Sequence, residues 1–338
     1  MNAYIRQMGL LIVISGSVAV MPAMADDLHP VKKDNRWGYI DSRGNVVVEP
    51  QYDKAGKFSD GLALVQKGDI RGFINEKGEM IVNLTYHEAE SFREGMARVF
   101  EKQGLIGGRY GFIDRSGAAV IHPKYVDAGD FHEGLARVKR DGSWGYVDPA
   151  GDEVIKLQYD EASDFSEGMA RVRVGGDWGG KVGFIDSKGG FVINPKFDEC
   201  GDFNDGLAAF KEDGKWGYIN RRGEAVIEPQ FAQARLFSDG RAAVLVGSML
   251  GAKWGFIDRN GKMVVSPQYE EVRLFVFGRA AVKSGGKWGY IDKSGRVVVK
   301  PAFDMADAFC QANIALVKVD GKRGYVNSAG AYVWNPAR

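Results

Sequence analysis

The stretch KEDGKWGYINRRGEAVIEPQF, Lys211–Phe231, returns along the chain with small changes: RDGSWGYVDPAGDEVIKLQY at Arg140–Tyr159, SGGKWGYIDKSGRVVVKPAF at Ser284–Phe303. The glycine of its Trp-Gly pair sets the period. It recurs at Gly38, Gly72, Gly111, Gly145, Gly183, Gly217, Gly255, Gly289 and Gly324, every 34 to 39 residues. Self-similarity at that interval marks an array whose units cannot bury a core alone and complete one another by stacking. Nine copies leave no room for a separate catalytic domain.

Each copy reads as three short strands. The first is Gly134–Val138 (GLARV) or its equivalents, and the second is the Trp-Gly-Tyr-Ile segment, whose aromatic and β-branched residues suit a half-buried pleat. The third, such as Ala225–Pro229, ends at a proline that cannot donate to a ladder. Asp-Gly pairs such as Asp141-Gly142 mark a hairpin between the first two strands. A D-x-x-G tetrad such as Asp292–Gly295 marks a type I turn between the last two, so the recurring acids are turn residues and not catalytic ones. After the proline comes a link, Gln51–Gly61 in one copy, with apolar residues at fixed offsets (Tyr52, Ala55, Phe58). It reads as a non-strand segment that plugs the gap between units.

The fold class expected is therefore all-β, a tandem array of nine antiparallel three-stranded meanders. Three units, the third, fifth and seventh, have a longer first turn (Val99 to Gly111, Val172 to Gly183, Val244 to Gly255), so the structural period spans two units. An odd number of units breaks that alternation around a circle, and no unit is split between the two ends. An open, twisted solenoid is the expected architecture; a closed, propeller-like ring with one irregular joint is the alternative.

Residues 1–25 carry Arg6, an uncharged stretch from Gly9 to Val20 and Ala23-Met24-Ala25, the pattern of a cleaved secretory signal with an apolar region too short to span a bilayer. The expected product is one domain, residues 26–338, exported to the periplasm or beyond, with no membrane span after cleavage. Lys and Arg total 45 against 44 Asp and Glu, and losing Arg6 balances them, which gives no basic stripe for nucleic acid. Cys200 stands where other copies have alanine (Ala55, Ala128, Ala162), so a small buried residue is expected there, and Cys310 occupies a different place in the repeat.

The recurring KWGYID..G..VI.P.YD.A..F.EGLA.V pattern resembles the bacterial WG, or KWG, repeat, and the resemblance covers most of the chain. Arg71, Tyr110, Val182 and Arg323 replace the tryptophan, and the F-x-E-G element is lost at Phe277-Gly278 and Gln311-Ala312. The resemblance implies a β-rich scaffold with a binding role and carries over no catalytic residue.

Chemistry is sparse. His29, His87, His122 and His132 lack metal-ligand spacing, and no nucleophile elbow or phosphate loop appears. No cofactor or metal is expected and the reading is non-enzymatic. Differences between copies point to candidate surfaces. Arg98, Arg137 and Arg171 share one first-strand position that is Ala209, Ala243 and Ala281 in the next three units. They are either an anion-binding stripe or a solvated face paired with nearby acids. The repeated tryptophans read as packing pillars, whereas Trp178, Met249 and Leu250 sit at long-hairpin tips, suited to an exposed contact. The expected function is a scaffold for a protein partner in the envelope or outside the cell, with an anionic cell-wall or surface glycan as the alternative ligand.

Overall fold

A computed structural model describes residues 28–83, 86–104, 107–176, 179–247 and 251–335. The expected signal segment and the tip residues Trp178, Met249 and Leu250 lie outside these. Among the described residues the regular structure is entirely β, in nine antiparallel sheets, eight of four strands and one of three. The sheets are the blades of a ring: blade 1 at 29–52, then 54–83, 88–125, 127–159, 161–197, 199–231, 233–269, 271–303 and blade 9 at 305–334. Among the described residues no helix is long and apolar enough to cross a membrane.

Blade 4 shows the plan. Its strands, a to d in order, are Asp127–His132, Leu135–Arg140, Ser143–Val147 and Glu153–Tyr159. Strand a is the segment read from sequence as a non-strand link, and the correction has a physical cause. Ala128 pairs with Val138 and Phe131 with Ala136, with a register shift between them; the bulge puts the two inward residues three apart and hides the period-two alternation. Strand d also runs past the expected stop, through Pro229 to Phe231 in blade 6. As the outer edge it has no further ladder to supply, so proline is tolerated there. The D-x-x-G turns are as read: Asp148 Oδ1 accepts the N–H of Ala150 at 3.0 Å and of Asp152 at 2.9 Å.

The Trp-Gly glycine is fixed by close approach. A Cβ on Gly145 would lie 2.5 Å from the Ile155 carbonyl oxygen and 2.7 Å from the Leu157 nitrogen, where strands c and d shift register on either side of Tyr146. That shift sends the next side chain toward the following blade. Tyr146 meets Phe165 edge-on at 4.9 Å, and its hydroxyl donates to the Ser163 carbonyl at 2.6 Å. The same ring pair joins Tyr39 to Phe58, Phe73 to Phe92, Phe112 to Phe131, Phe184 to Phe203, Tyr218 to Phe237, Phe256 to Phe275 and Tyr290 to Phe309. Burial raises the pKa of the Tyr39, Tyr146, Tyr218, Tyr290 and Tyr325 phenols, so each remains a donor well above neutral pH.

These contacts also overturn the open solenoid, because they continue from blade 9 to blade 1. Tyr325 packs at a tilt against His29, centroids 5.4 Å apart, and donates to the Pro30 carbonyl at 3.1 Å. Val31, Ile40, Ile314 and Tyr325 share one core cluster. Gly44, in the c–d turn of blade 1, packs on Val333, as Gly151 packs on Ile121 at every ordinary joint of this kind. The long turns fall in blades 3, 5 and 7, so blades 8, 9, 1 and 2 run together with short ones, and the parity mismatch is absorbed there. Neighbouring blades meet where strands b and c of one face strand a of the next. Strands a therefore lie toward the axis and strands d at the rim, where Val47, Val154 and Val226 are exposed.

Trp144, Trp254 and Trp288 are buried, in keeping with packing pillars. Cys200 and Cys310 are free thiols; Cys200 is buried, and desolvation pushes its pKa up to about 12. We predict that Gly145→Ala destabilises the ring by about 3 kcal/mol or more through overpacking against backbone, measured by urea unfolding. Gly251→Ala, with nothing near its Cβ position, changes stability by less than ~0.5 kcal/mol.

Candidate functional site

The arginine row identified in sequence lies at the joints between blades. Arg137 Nε donates to Asp164 Oδ1 at 2.8 Å and Nη1 to the Ala162 carbonyl at 3.0 Å, both in the next blade, while its guanidinium lies 5.1 Å from the Trp144 ring. Arg171 Nε reaches Asp202 at 3.1 Å. Arg98 bonds the Ala128 carbonyl and approaches Asp130 at 3.5 Å. Two later joints whose strand-b residue is alanine draw the arginine from strand a or the residue after it: Arg235 donates to the Val272 carbonyl at 2.5 Å, and Arg273 to the Ala306 carbonyl at 2.8 Å. The row is thus a set of latches, half-buried and matched by acids of the following blade.

A second set of latches uses the acid of F-x-E-G. Glu133 accepts the Gly168 N–H, Glu167 that of Gly206, Asp205 that of Gly240 and Asp239 that of Gly278, at 2.6 to 2.9 Å. The ladder begins at Asp60 and stops where Phe277 replaces the acid. Phe277 is 57% exposed at a φ of 50°.

The place that differs most from the rest is the seam between blades 9 and 1. The chain runs across every other joint as the link from strand d to the next strand a, but among the described residues no link crosses this joint, which is closed by non-covalent contacts. Blade 1 is the three-stranded sheet and has no strand a among the described residues. A cleft of ≈ 640 Å³ opens there, lined by Lys32, Lys33, Trp37, Lys322, Arg323 and Trp334, with Lys318 and Asp34 at its sides. Lys33 and Trp334 also line an adjoining cavity of ≈ 460 Å³. Arg323 and Lys32 lie 5.2 and 5.9 Å from the Trp37 ring. None of the five cationic side chains forms a salt bridge among the described residues, whereas Arg36, Lys181 and Lys287, which hold the Lys322 position in three other blades, each pair with the acid of the following link. Asp34 is the one acid in the lining, and Asp320 stands in the adjoining turn. Five cations without a salt bridge among the described residues give the cleft a positive charge that suits an anionic group, while the two indole faces suit a flat or cationic one.

Sequence reasoning missed this cleft because its residues come from opposite ends of the chain and meet only when the ring closes. The signal was present in Lys32-Lys33 and Lys322-Arg323, two basic pairs at equivalent hairpins. Among the described residues no group of three His, Cys, Asp or Glu side chains is placed to hold a metal ion.

The WG containing repeat family matches residues 37–69, 72–103, 110–144, 144–178, 183–216, 216–248, 254–288 and 288–322. No curated protein matches the chain. Among solved structures, a crystal structure of the eukaryotic initiation factor is similar over 91% of this chain and 95% of that one, with 12% identity and a TM-score of 0.64, a likeness of fold alone. The extracellular domain of a hybrid two component system from B. thetaiotaomicron aligns over 88% of this chain and 49% of its own, at 11% identity and a TM-score of 0.37, too low to carry an argument.

We predict that Arg137→Ala, which removes the bonds to Asp164 and the Ala162 carbonyl and bares the Trp144 face, lowers stability by about 1–2 kcal/mol in urea unfolding. Partner capture per folded molecule stays unchanged.

Proposed function

We propose, from the premise that this chain belongs to the WG containing repeat family, that it is a non-catalytic exported scaffold that binds a protein partner in the cell envelope or outside the cell. The seam cleft is its contact site. The observation that carries this reading is the concentration of Lys32, Lys33, Lys318, Lys322 and Arg323, none in a salt bridge among the described residues, beside Trp37 and Trp334. At several other joints the cations are matched by acids of the next blade, as Arg36, Arg137, Arg171, Lys181 and Lys287 are. Tryptophan and arginine are also the side chains most enriched at the energetic centres of protein interfaces.

A second reading rests on the same side chains: an anionic cell-wall or surface glycan, its acid groups on the lysines and a sugar face on Trp37. The two readings part in the material that is captured. Export rests on the signal pattern of residues 1–25.

The test uses the chain as bait on solubilised envelope and, separately, on isolated cell-wall polymer. Capture of one or two specific proteins, reduced at least tenfold by Lys33→Glu with Lys322→Glu and unchanged by Lys188→Glu on a remote turn, is the expected result. Retention on the polymer with no captured protein makes it a glycan-binding module instead.

A further inference from the structure

The repeat itself specifies what the seam lacks. At five of the links the residue that leads into strand a is acidic: Asp53, Asp160, Asp198, Glu270 and Asp304. Asp304 shows what it does there. Its backbone N–H donates to the Lys318 carbonyl of strand b at 2.8 Å. Its carboxylate pairs with Lys287 of the preceding blade at 2.6 Å and accepts the Asp320 N–H, in the b–c turn, at 2.7 Å. Asp53 repeats all three contacts: its N–H to the Gln66 carbonyl at 2.7 Å, its carboxylate to Arg36 of the preceding blade and to the Gly68 N–H at 2.7 Å. Asp160 and Glu270 keep the backbone bond and the turn N–H. Two residues further on comes a small side chain at four of the five, Ala55, Ala162, Cys200 and Ala306, and Val272 at the fifth, each packing into the blade.

Counting from the Trp-Gly glycine, the seam equivalents of these three contact groups are the Lys32 carbonyl, the Lys322 ammonium and the Asp34 N–H. All three are in place. Lys32, Asp34 and Lys322 are exposed, Lys322 is in no salt bridge, and no carboxylate accepts the Asp34 N–H among the described residues. The carbonyl one step along, on Pro30, is taken by the Tyr325 hydroxyl, and His29 already fills the place that a strand-a phenylalanine takes elsewhere. The free register is therefore short. It suffices, because strand a is only two residues long in several blades, Glu161–Ala162 and Met305–Ala306 among them.

We infer that the seam accepts a short extended segment of the partner protein, acid–x–small in sequence, which adds to blade 1 as its missing first strand. The inference rests on the scaffold reading and names the partner's binding element. The segment's acidic residue donates its backbone N–H to the Lys32 carbonyl, and its carboxylate bridges Lys322 and the Asp34 N–H. Strand addition gives main-chain bonding and one side chain gives the selectivity, the usual division of labour when a peptide pairs with an open sheet edge. The surplus of five cations over Asp34 and Asp320 favours acidic residues at the flanks as well.

The probe is a peptide copying residues 302–309 of the chain itself, AFDMADAF, titrated into the full chain by fluorescence or calorimetry. It is expected to bind saturably. Asparagine in place of its first aspartate weakens binding at least tenfold, as does Lys322→Glu in the protein, and a peptide with lysine at that position regains affinity for the Lys322→Glu chain. Equal binding of the aspartate and asparagine peptides, or no binding, overturns the inference. So does an acidic oligosaccharide that binds where the peptide does not. Tighter peptide binding by the Asp26→Asn, Asp27→Asn chain than by the unaltered one gives the slot to the chain's own preceding residues and overturns it too. Envelope capture that depends on Lys33 and Lys322 while the peptide fails leaves the scaffold reading standing without this element.

Discussion

In each blade the aromatic side chain after the Trp-Gly glycine leaves its own sheet and lands edge-on or tilted against a ring of the next blade. Such a pair contributes about 0.5–1.5 kcal/mol beyond the area it buries; repeated at every joint, it sets the spacing and tilt of the sheets. The glycine makes it possible. With no Cβ, strand d folds close over it, the register of the c–d pair shifts, and the following Tyr or Phe turns outward. Where the residue is tyrosine the hydroxyl adds a bond to a carbonyl of the next blade. The arginine and carboxylate latches then fasten joints whose geometry the aromatic pair has already fixed.

The same interaction closes the ring with one change of residue. His29 takes the place of the phenylalanine and Tyr325 the place of the tyrosine, so closure needs no shared blade and no strand from the far end of the chain. Its consequence is chemical. Among the described residues no link crosses this joint and no link acid faces Lys322, so the basic residues that such an acid pairs with at Asp53, Asp198 and Asp304 are exposed here. The cleft is a by-product of closing a repeat without a covalent crossover, and its charge follows from the repeat's own pairing rules.

The strand order b–c–d, the turns, the unit count and the burial of Trp144 were legible because each depends on a few adjacent residues. The role of Asp148 as a turn acid follows from Asp-x-x-Gly alone. Strand a was not legible, because the bulge between Ala128 and Phe131 breaks the alternation by which strands are read. Ring closure was not legible because it turns on one histidine, His29, doing the work of a phenylalanine some 295 residues away from its partner. With closure went the seam: Lys32 and Lys322 look like two ordinary turn lysines until they face the same cleft. The arginines were visible as a pattern, but their acids, Asp164 and Asp202, lie one blade on, and only the packed ring brings them together.

Closure is the claim on which the seam depends, and a distance across it tests the claim most directly. Spin labels at Arg43→Cys in blade 1 and Ala331→Cys in blade 9, in a chain whose Cys200 and Cys310 are replaced by alanine, report the separation of the two terminal blades in solution. The ring predicts a single short, narrow distance, because the neighbouring Gly44 and Val333 are in contact. A long or broad distribution, as from the ends of an open array, would contradict the closed ring and remove the cleft with it.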